Sequence, residues 1–281
     1  MGRKVILSRK GFDGTTGGKA SLIIDGKLVS LPIPRADSGD FYKNLIFSPT
    51  ESYLKVMKDL GIKLYSEAHV DPDIRKSIIP HRPEKWRGLF GQSGTSQGTL
   101  RNRQVGKGDI FLFFGWFKEV RRINDVYQYC PDAPDIHAIF GYLEVDCVFD
   151  IQAGASVPDW MKYHPHIRER EEYGTQRNAI YMATKSFSKF PQKQGWGCFR
   201  YDKRLVLTKE GAKKRSLWEL PPCFQGEHEN FTCGIKKWKI LQNGDVEMQT
   251  NGRGDQELYI SDKPEVVAWA ENLISSCAVY E

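Results

Sequence analysis

KWRGLFGQSGTSQGTLRNRQVGKGDIFLFFGWFKE (residues 85–119) and, after a polar loop, DIHAIFGYLEVDCVFD (residues 135–150) are the two segments that decide the fold of this chain. Each contains an apolar run, 110–117 in the first and 136–145 in the second. Both runs are rich in β-branched and aromatic residues and are bounded by Gly and Asp, which is typical of strands rather than helices. We therefore predict two paired, buried strands at the centre of the fold.

A polar segment precedes the first strand, and its Gly, Ser, Gln and Arg content predicts an irregular loop over residues 90–102. The side chains of Gln92, Ser93 and Gln97 can hydrogen-bond the edge of a nucleobase, or they can satisfy backbone groups of the loop itself. Trp86 lies just ahead of the loop. An accessible ring at that position would stack on a base, whereas a buried one would only pack.

The composition indicates a globular protein with a modest positive charge. The 281 residues are 40% hydrophobic, the formal net charge is +6, and the pI is near 8.9. This excess of cations is compatible with an anionic partner such as nucleic acid but does not establish one. No apolar run approaches the roughly 18 residues of a membrane span, and the first residues lack an apolar signal core, so we expect a cytoplasmic protein with no membrane partner. The six cysteines are scattered, without CxxC spacing, and are expected to be reduced.

The N-terminal region combines a hairpin with a polar loop. Asp25-Gly26 separates two apolar runs and predicts a tight β-hairpin. Before it, the phrase SRKGFD at 8–13 brings Arg9, Lys10 and Asp13 into a Gly-rich turn. Backbone amides and two cations could hold a phosphate there, although the spacing fits neither known Gly-rich phosphate phrase. The alternative is an ordinary surface turn.

The remaining segments predict few helices and many strands. Ser48-Pro-Thr-Glu51 is a capping box that predicts a helix over 49–60, and Asp262 is predicted to begin a C-terminal helix with an apolar stripe. We also expect a short helix over 159–164, a strand over 179–183, a strand over 204–207, a packed turn over 216–221, and a hairpin at Asn243-Gly244. The pattern is that of an α+β fold with a strongly bent mixed sheet or a β-barrel and flanking helices.

The phrase HVDPD places His69, Asp71 and Asp73 within five residues. A carboxylate beside an imidazole suits proton transfer, and the same groups could bind a metal ion. A metal would need a third or fourth ligand, which no HExxH phrase supplies, and the HxH phrase His164-Pro-His166 is more typical of a turn than of a chelate. We therefore assign no metal site, and a structural turn at Asp71-Pro72 is the alternative. No phrase indicates a nucleophile or identifies a cofactor.

Taken together, these phrases resemble the nucleotide modification associated domain 3 family over the whole chain. The matching phrases run in order: ILSRKGFD (6–13), SLPIP (30–34), HVDPD (69–73), W…FGQSGTSQ (86–97), VGKGDIFLFFGWF (105–117), DIHAIFGYLEV (135–145), HPH (164–166), LT…RSLWELP (207–221) and GRGDQEL (252–258). The resemblance implies a role in systems that make or handle modified DNA bases. The glycine-rich phrase before the Gln-Glu pair departs from the usual family form and reads GRGDQE here.

A local similarity concerns the middle quarter of the chain. The order of Trp, polar loop, Arg-Asn, GKGDIFLFF and IFGYLEV looks like the PUA-like barrels of the EVE, ASCH and YTH type, in which an aromatic pocket holds a modified base. The similarity implies one domain over 1–281 with a PUA-like core around 86–150, in which Trp86 and the loop 90–102 would border the pocket.

Two functions remain open from the sequence, beside a third alternative in which the protein is a scaffold for partner modification enzymes. The first is binding of a modified or unusual nucleobase in DNA or in a nucleotide, with other base-modification enzymes as further partners. It would use Trp86, Gln92, Ser93 and Gln97 on the base and Arg9, Lys10, Arg101 and Arg103 on phosphates. The alternative is an enzyme that makes or edits such a base by acid/base chemistry. Its catalytic residues would be Asp13, His69, Asp71 and Glu257.

Overall fold

The two central strands belong to a fold dominated by β-structure. The structure is a computed structural model that describes residues 2–250 and 256–280, without the side chain of Glu257. Within these residues the strands are β1 (Val5–Arg9), β2 (Ser21–Ile24), β3 (Lys27–Val29), β4 (Ile33–Pro34), β5 (Ile46–Ser48), β6 (Glu51–Ser52), β7 (Ala68–His69), β8 (Leu89–Ser93), β9 (Ile110–Ile123), β10 (Val126–Tyr129), β11 (Ile136–Asp150), β12 (Asn178–Ala183), β13 (Trp196–Phe199), β14 (Leu217–Leu220), β15 (Ile235–Ile240), β16 (Val246–Thr250), β17 (Glu257–Ser261) and β18 (Val279–Tyr280).

Helices are few and short. The α-helices of the described residues are α1 (Tyr53–Asp59), α2 (Gly94–Asn102), α3 (Pro165–Arg168) and α4 (Pro264–Ser276). Single 3₁₀ turns occur at Lys76–Ile78, Asp159–Met161, Lys203–Leu205, Pro222–Phe224 and His228–Asn230. In the part of the chain that the structure describes, no helix combines the length and the hydropathy that a membrane crossing requires.

The predicted central pair is confirmed. β9 and β11 run antiparallel, with Phe114 opposite Ile139. β9 also pairs in parallel with β1 and β2, so the sheet is mixed. β11 changes partner along its length: it pairs with β13 through Gly141–Leu143 and with β12 closer to its C-terminal end. This exchange curls the sheet, whose main path runs β17-β1-β9-β11-β12-β8, and the predicted α+β fold with a strongly bent mixed sheet is confirmed.

The aromatic run of β9 forms the centre of the hydrophobic core. Phe111, Phe113, Phe114 and Phe117 are all 0% exposed. Such burial stabilises the fold by roughly 1.5–3 kcal/mol for each large apolar side chain.

The prediction of a loop over 90–102 is wrong. The segment is the end of β8 followed by helix α2, and the chain turns between them at Gly94, whose φ is +60°. Leu100 is the one apolar side chain that the helix buries, alongside Gln97 and Gly98. Because the buried face is mostly polar, apolar periodicity could not reveal this helix.

The capping-box helix begins later than predicted. Ser48 and Glu51 lie in the small β5–β6 hairpin, and the Ser48 hydroxyl donates to the Glu51 carboxylate. The actual cap is Ser52, whose Oγ accepts from the backbone N of Lys55. The sequence therefore offers two possible N-cap serines, Ser48 and Ser52. Because Ser48 belongs to the β5–β6 hairpin, the helix begins after Ser52.

Three further predictions of elements are corrected. The expected strand over 204–207 is a 3₁₀ turn at Lys203–Leu205, and the expected turn over 216–221 contains strand β14, which pairs with β16. The expected helix over 159–164 is only a 3₁₀ turn at Asp159–Met161, and the α-helix that follows, α3, begins after it at Pro165, which favours a first helical position. The hairpins at Asp25-Gly26 and Asn243-Gly244 are confirmed, and α4 begins two residues after the predicted start.

Candidate functional site

Four buried side chains from two distant segments meet beside strand β8. They are His69, Asp71, His164 and His166, which we call the histidine–aspartate site. His69 ends β7 and Asp71 follows it, while His164 caps α3 and His166 lies within it. The His69 and His166 rings are 5.1 Å apart, and the His164 and His166 rings 5.8 Å apart. The HVDPD and HPH phrases, far apart in sequence, thus form one site.

The hydrogen bonds of His166 fix the state of its ring. Its Nδ1 lies 2.8 Å from Oδ1 of Asn178, and Nδ2 of Asn178 donates to the backbone carbonyl of His166 at 2.7 Å. Because the Asn178 amide is anchored in this direction, its Oδ1 accepts, and the neutral ring carries its proton on Nδ1. The Nε2 lone pair of His166 is then available to a ligand.

Asp71 is held by the backbone of β8 and approached by His164. Its Oδ1 accepts from the backbone N of Gly91 at 2.6 Å, and Nε2 of His164 lies 3.5 Å from the same oxygen. The His164 Nδ1 accepts from the backbone N of His166, so the neutral His164 ring carries its proton on Nε2, toward the carboxylate. The contact at 3.5 Å orients the carboxylate without forming a full hydrogen bond.

The electrostatics favour neutral imidazoles at His69 and His166 and an ionised carboxylate at Asp71. Burial would raise the pKa of Asp71, but the proximity of His164, His166 and Lys10 holds it well below its usual range. Burial lowers the pKa of His69 far below that of a free imidazole and lowers the pKa of His166 to about 4. At neutral pH the site therefore presents nitrogen lone pairs next to a negative oxygen, and the acid/base roles predicted for His69 and Asp71 stay predictions.

Three predicted ligand-binding side chains lie in a polar group on strand β8 and its neighbours. Lys10 donates to Oε1 of Gln256 at 2.8 Å, and Nε2 of Gln92 lies 3.4 Å from the same oxygen. The Lys10 ammonium also sits 4.4 Å from the centre of the Phe90 ring. Gln97, on α2, accepts from the hydroxyl of Tyr181 at 3.1 Å. Lys10, Gln92 and Gln97 are each at most 7% exposed. A ligand bound at the protein surface would therefore not contact them.

The other predicted residues lie in separate places. Arg101 and Arg103 are exposed at the C-terminal end of α2, and Ser93 precedes its first turn. Asp13 closes a turn with Thr15 and Thr16, whose hydrogen bonds lower its pKa although burial acts in the opposite direction. Arg9 ends β1 and Glu257 begins β17; the side chain of Glu257 and the GRGD part of its phrase lie outside the described residues.

Trp86 is packed rather than open. It is 3% exposed, its Nε1 donates to the hydroxyl of Tyr163 at 2.7 Å, and the ring meets Trp196 edge-on at 5.7 Å. The guanidinium of Arg82 covers it at 4.4 Å from the ring centre. A base cannot stack on this ring without displacing one of these neighbours, and what remains of its surface contributes to the wall of a groove.

That groove has a volume of about 970 Å³ and combines aromatic rings with cations. We call it the tryptophan groove; its aromatic and charged lining residues are Trp86, Trp160, Trp196, Lys76, Lys85, Arg87, Lys185 and Glu84. Four cations thus face one acid, although Arg87 also pairs with Asp146 at 2.7 Å. Trp160 is the partly exposed ring of the three.

Two other grooves on the protein differ from the tryptophan groove in their numbers of cations and acids. A groove of about 580 Å³ shares Lys76 with the tryptophan groove and has, besides Lys76, the cations Lys27, Arg75, Arg82 and Arg122 and the acids Asp25 and Glu51. A groove of about 920 Å³ elsewhere has three cations and five acids among its described lining residues. The tryptophan groove and the 580 Å³ groove share Lys76 and each has more cations than acids, whereas the 920 Å³ groove has more acids than cations.

The histidine–aspartate site and the tryptophan groove meet at Tyr163. Its hydroxyl accepts from Trp86 and donates to Oδ2 of Asp73 at 2.6 Å, and the next residue is His164. Sequence reasoning identified His69 and Asp71 but not the role of His166 beside them. The HPH phrase carried the signal, but no local spacing could show that it meets HVDPD.

Comparison with known proteins gives one match. The sequence family described as nucleotide modification associated domain 3 matches residues 4–260. None of the curated proteins and none of the solved structures matches the chain. The PUA-like similarity of residues 86–150 therefore stays a prediction.

Proposed function

Because the chain belongs to the nucleotide modification associated domain 3 family, we propose that it serves a nucleotide-modification system by binding nucleic acid in the tryptophan groove. The observation that carries this proposal is the composition of the groove wall, with four cations and three tryptophans against a single acid. Phosphates and bases are the two groups that such a wall binds.

The cations account for affinity to a polyanion. Lys85 and Lys185 are exposed, and Lys76 continues the positive surface into the neighbouring groove. A nucleic-acid backbone that neutralises these side chains releases its counterions, which favours binding at low salt. The acid-rich groove bordered by Glu119, Glu210 and Glu219 would repel the same backbone.

The tryptophans account for contact with a base. Trp160 is the ring with a partly accessible face, and the Trp86–Trp196 pair supports the groove behind it. Nε1 of Trp196 has no hydrogen-bond acceptor among the described residues, so it is a donor that a base edge could satisfy after a small rearrangement. A modified nucleobase in a strand would lie here, with stacking on Trp160 worth about 1–3 kcal/mol.

The test compares charge reversals in two grooves. Fluorescence anisotropy with labelled single-stranded and duplex oligonucleotides, with and without modified bases, measures Kd over a range of salt concentrations. The variant Lys85→Glu/Lys185→Glu should weaken binding at least tenfold and reduce the slope of log K against log salt by about two, since each lost phosphate contact removes about 0.9. Lys203→Glu, an exposed change in the acid-rich groove, is the matched control and should leave Kd within about twofold.

Two results would reject the proposal. One is the lack of measurable binding of any oligonucleotide by the unaltered protein at low salt. The other is an equal loss of affinity in Lys203→Glu and in the double variant. Trp160→Ala tests the base contact separately, and it should reduce affinity for single strands more than for duplexes because only an unpaired base exposes its face.

A further inference from the structure

We propose that His69, Asp71 and His166 form a binding site for one divalent transition-metal ion, with His164 and Asn178 as positioning residues. One ligand atom from each of the three side chains lies within 4.8 Å of the other two. Two imidazoles and one carboxylate are the ligand set of non-haem Fe(II) centres and of several catalytic Zn(II) centres. This inference concerns the interior of the fold and does not depend on the tryptophan groove.

The three ligand atoms are somewhat farther from one another than the ligand atoms of a bound metal ion would be. Ligands of a tetrahedral zinc ion at about 2.1 Å lie roughly 3.4 Å from one another. The three side chains would therefore move inward by about an ångström, which side-chain rotation of His69 and Asp71 can supply. His166 has less freedom because its ring is fixed by Asn178 and packed against Tyr173 at 4.9 Å.

Two ring nitrogens of the cluster lack the hydrogen-bond partners that a purely structural polar network would provide. Nδ1 of His69 and Nε2 of His164 are buried and have no hydrogen-bond partner among the described residues. A buried polar atom without a partner is costly, and natural cores usually satisfy such atoms. A cation in contact with His69 would satisfy one of them directly. It would also balance the buried charge of Asp71, whose side chain is 5% exposed.

His166 and Asp71 already have hydrogen bonds of the kind that orient metal-binding side chains. The Nδ1–H of His166 is directed to an amide oxygen, which orients the ring and leaves Nε2 toward the cluster. One oxygen of Asp71 accepts from the backbone N of Gly91, and His164 approaches the same oxygen. The other carboxylate oxygen is therefore the one available to the ion.

The donor set selects the class of metal. Two imidazole nitrogens favour Fe(II), Zn(II) or a similar first-row ion over Ca²⁺ and Mg²⁺, which prefer oxygen ligands throughout. Three protein ligands leave at least one coordination position for water or a substrate oxygen, as in catalytic rather than structural sites. Binding of this kind would make the protein a candidate metalloenzyme, in which the metal polarises or activates a bound oxygen.

The primary experiment measures metal content in protein that carries no polyhistidine tag. Protein stripped with a chelator is reconstituted in separate arms with Zn(II) and, under anaerobic conditions, with Fe(II), desalted, and analysed by inductively coupled plasma mass spectrometry. Close to one ion per chain is expected in at least one arm, and which arm binds more tightly identifies the metal. Co(II) titration should give visible d–d absorption bands with the same stoichiometry.

Matched variants locate the ion. Asp71→Asn keeps an oxygen that can accept from Gly91 but removes the charge, and His166→Gln removes the ring; each should lower affinity at least a hundredfold. His228→Gln is the control, because His228 is half exposed and pairs with Glu229. Asn178→Ala leaves all three ligands in place and should weaken affinity about ten- to hundredfold while full occupancy returns at high metal concentration.

The outcomes separate a metal site from a purely structural cluster. Circular dichroism of the metal-free variants checks that they are folded, and Asn178→Ala provides the test if the ligand variants are not. Less than a tenth of an ion per chain in both reconstitution arms overturns the proposal. It also fails if folded Asp71→Asn and His166→Gln retain the metal content and the cobalt spectrum of the unaltered protein.

Discussion

At the scale of single residues, Gly91 is the position on which the histidine–aspartate site most closely depends. Its backbone N binds Asp71, and a Cβ at this position would lie 2.2 Å from Cδ2 of His166. His166 is held in place by Asn178, so its ring cannot retreat without breaking a buried hydrogen bond. The glycine is thus required for close approach and not for an unusual backbone angle.

We expect Gly91→Ala to destabilise the protein by about 1–3 kcal/mol, the range typical of overpacking in a core. Urea denaturation followed by circular dichroism measures the change. Gly106→Ala is the matched control, because a Cβ at Gly106 meets no atom within 4 Å. Equal free energies of unfolding for the two variants would contradict this account of His166.

At the scale of elements, a buried ion-pair network joins β11 to helix α4. The carboxylate of Glu144, in β11, is 0% exposed and pairs with Arg3 at 2.7 Å; Arg3 also pairs with Glu271 of α4 at 2.9 Å. Glu144 accepts further hydrogen bonds from Ser188 and Thr184. These bonds attach the loop after β12 and the C-terminal helix to the central strand.

Arg3→Met should therefore cost about 3 kcal/mol, because it leaves the buried Glu144 carboxylate without its cation. Lys4→Met, the adjacent change at a lysine whose ammonium makes a long, exposed hydrogen bond to Gln104, should change stability by less than about 0.5 kcal/mol. Thermal and urea unfolding of both variants provide the comparison. A loss in Arg3→Met no larger than in Lys4→Met would show that the network contributes little.

At the scale of the whole molecule, the free energy of unfolding should decrease as the pH is lowered, because a histidine is buried in its neutral form. Burial lowers the pKa of His137 to about 3, and Nδ1 of His137 accepts from Nε1 of Trp218 at 3.0 Å. The unfolded chain takes up this proton near pH 6.5 and the folded chain does not, so stability is fully present above pH 6.5 and is lost as pH falls toward the folded pKa. At pH 4 the loss from this residue is about 3 kcal/mol relative to pH 7.

The variant His137→Gln tests this linkage, because the glutamine amide oxygen can still accept from Trp218 but does not titrate. Its free energy of unfolding should fall less steeply between pH 7 and pH 4 than that of the unaltered protein, by about 3 kcal/mol over the range. Measurements in the presence of a chelator keep the histidine–aspartate site free of metal. Parallel pH profiles for the two proteins would refute the assignment.

Features that depend on local patterns could be predicted from the order of amino acids alone. The β-branched and aromatic runs 110–117 and 136–145 required buried strands, and Asp25-Gly26 and Asn243-Gly244 required tight hairpins, since short-range sterics decide both. The α+β class followed from the same strands. The ordered phrases also pointed to the family that matches residues 4–260. Helix α2 escaped prediction because its buried face is largely polar.

The folded structure determines which side chains from distant segments meet. HVDPD and HPH are separated by β8, β9, β11 and the segments between them, and the pairing of β8 with β12 brings Asn178, and with it His166, beside Gly91 and Asp71. It also decided that Trp86 is packed and that cations from four separate positions share one groove. The pairing of strands that are distant in sequence sets these distances. The periodicity of side chains cannot reveal that pairing, because the apolar pattern of a segment is the same whichever strand it pairs with.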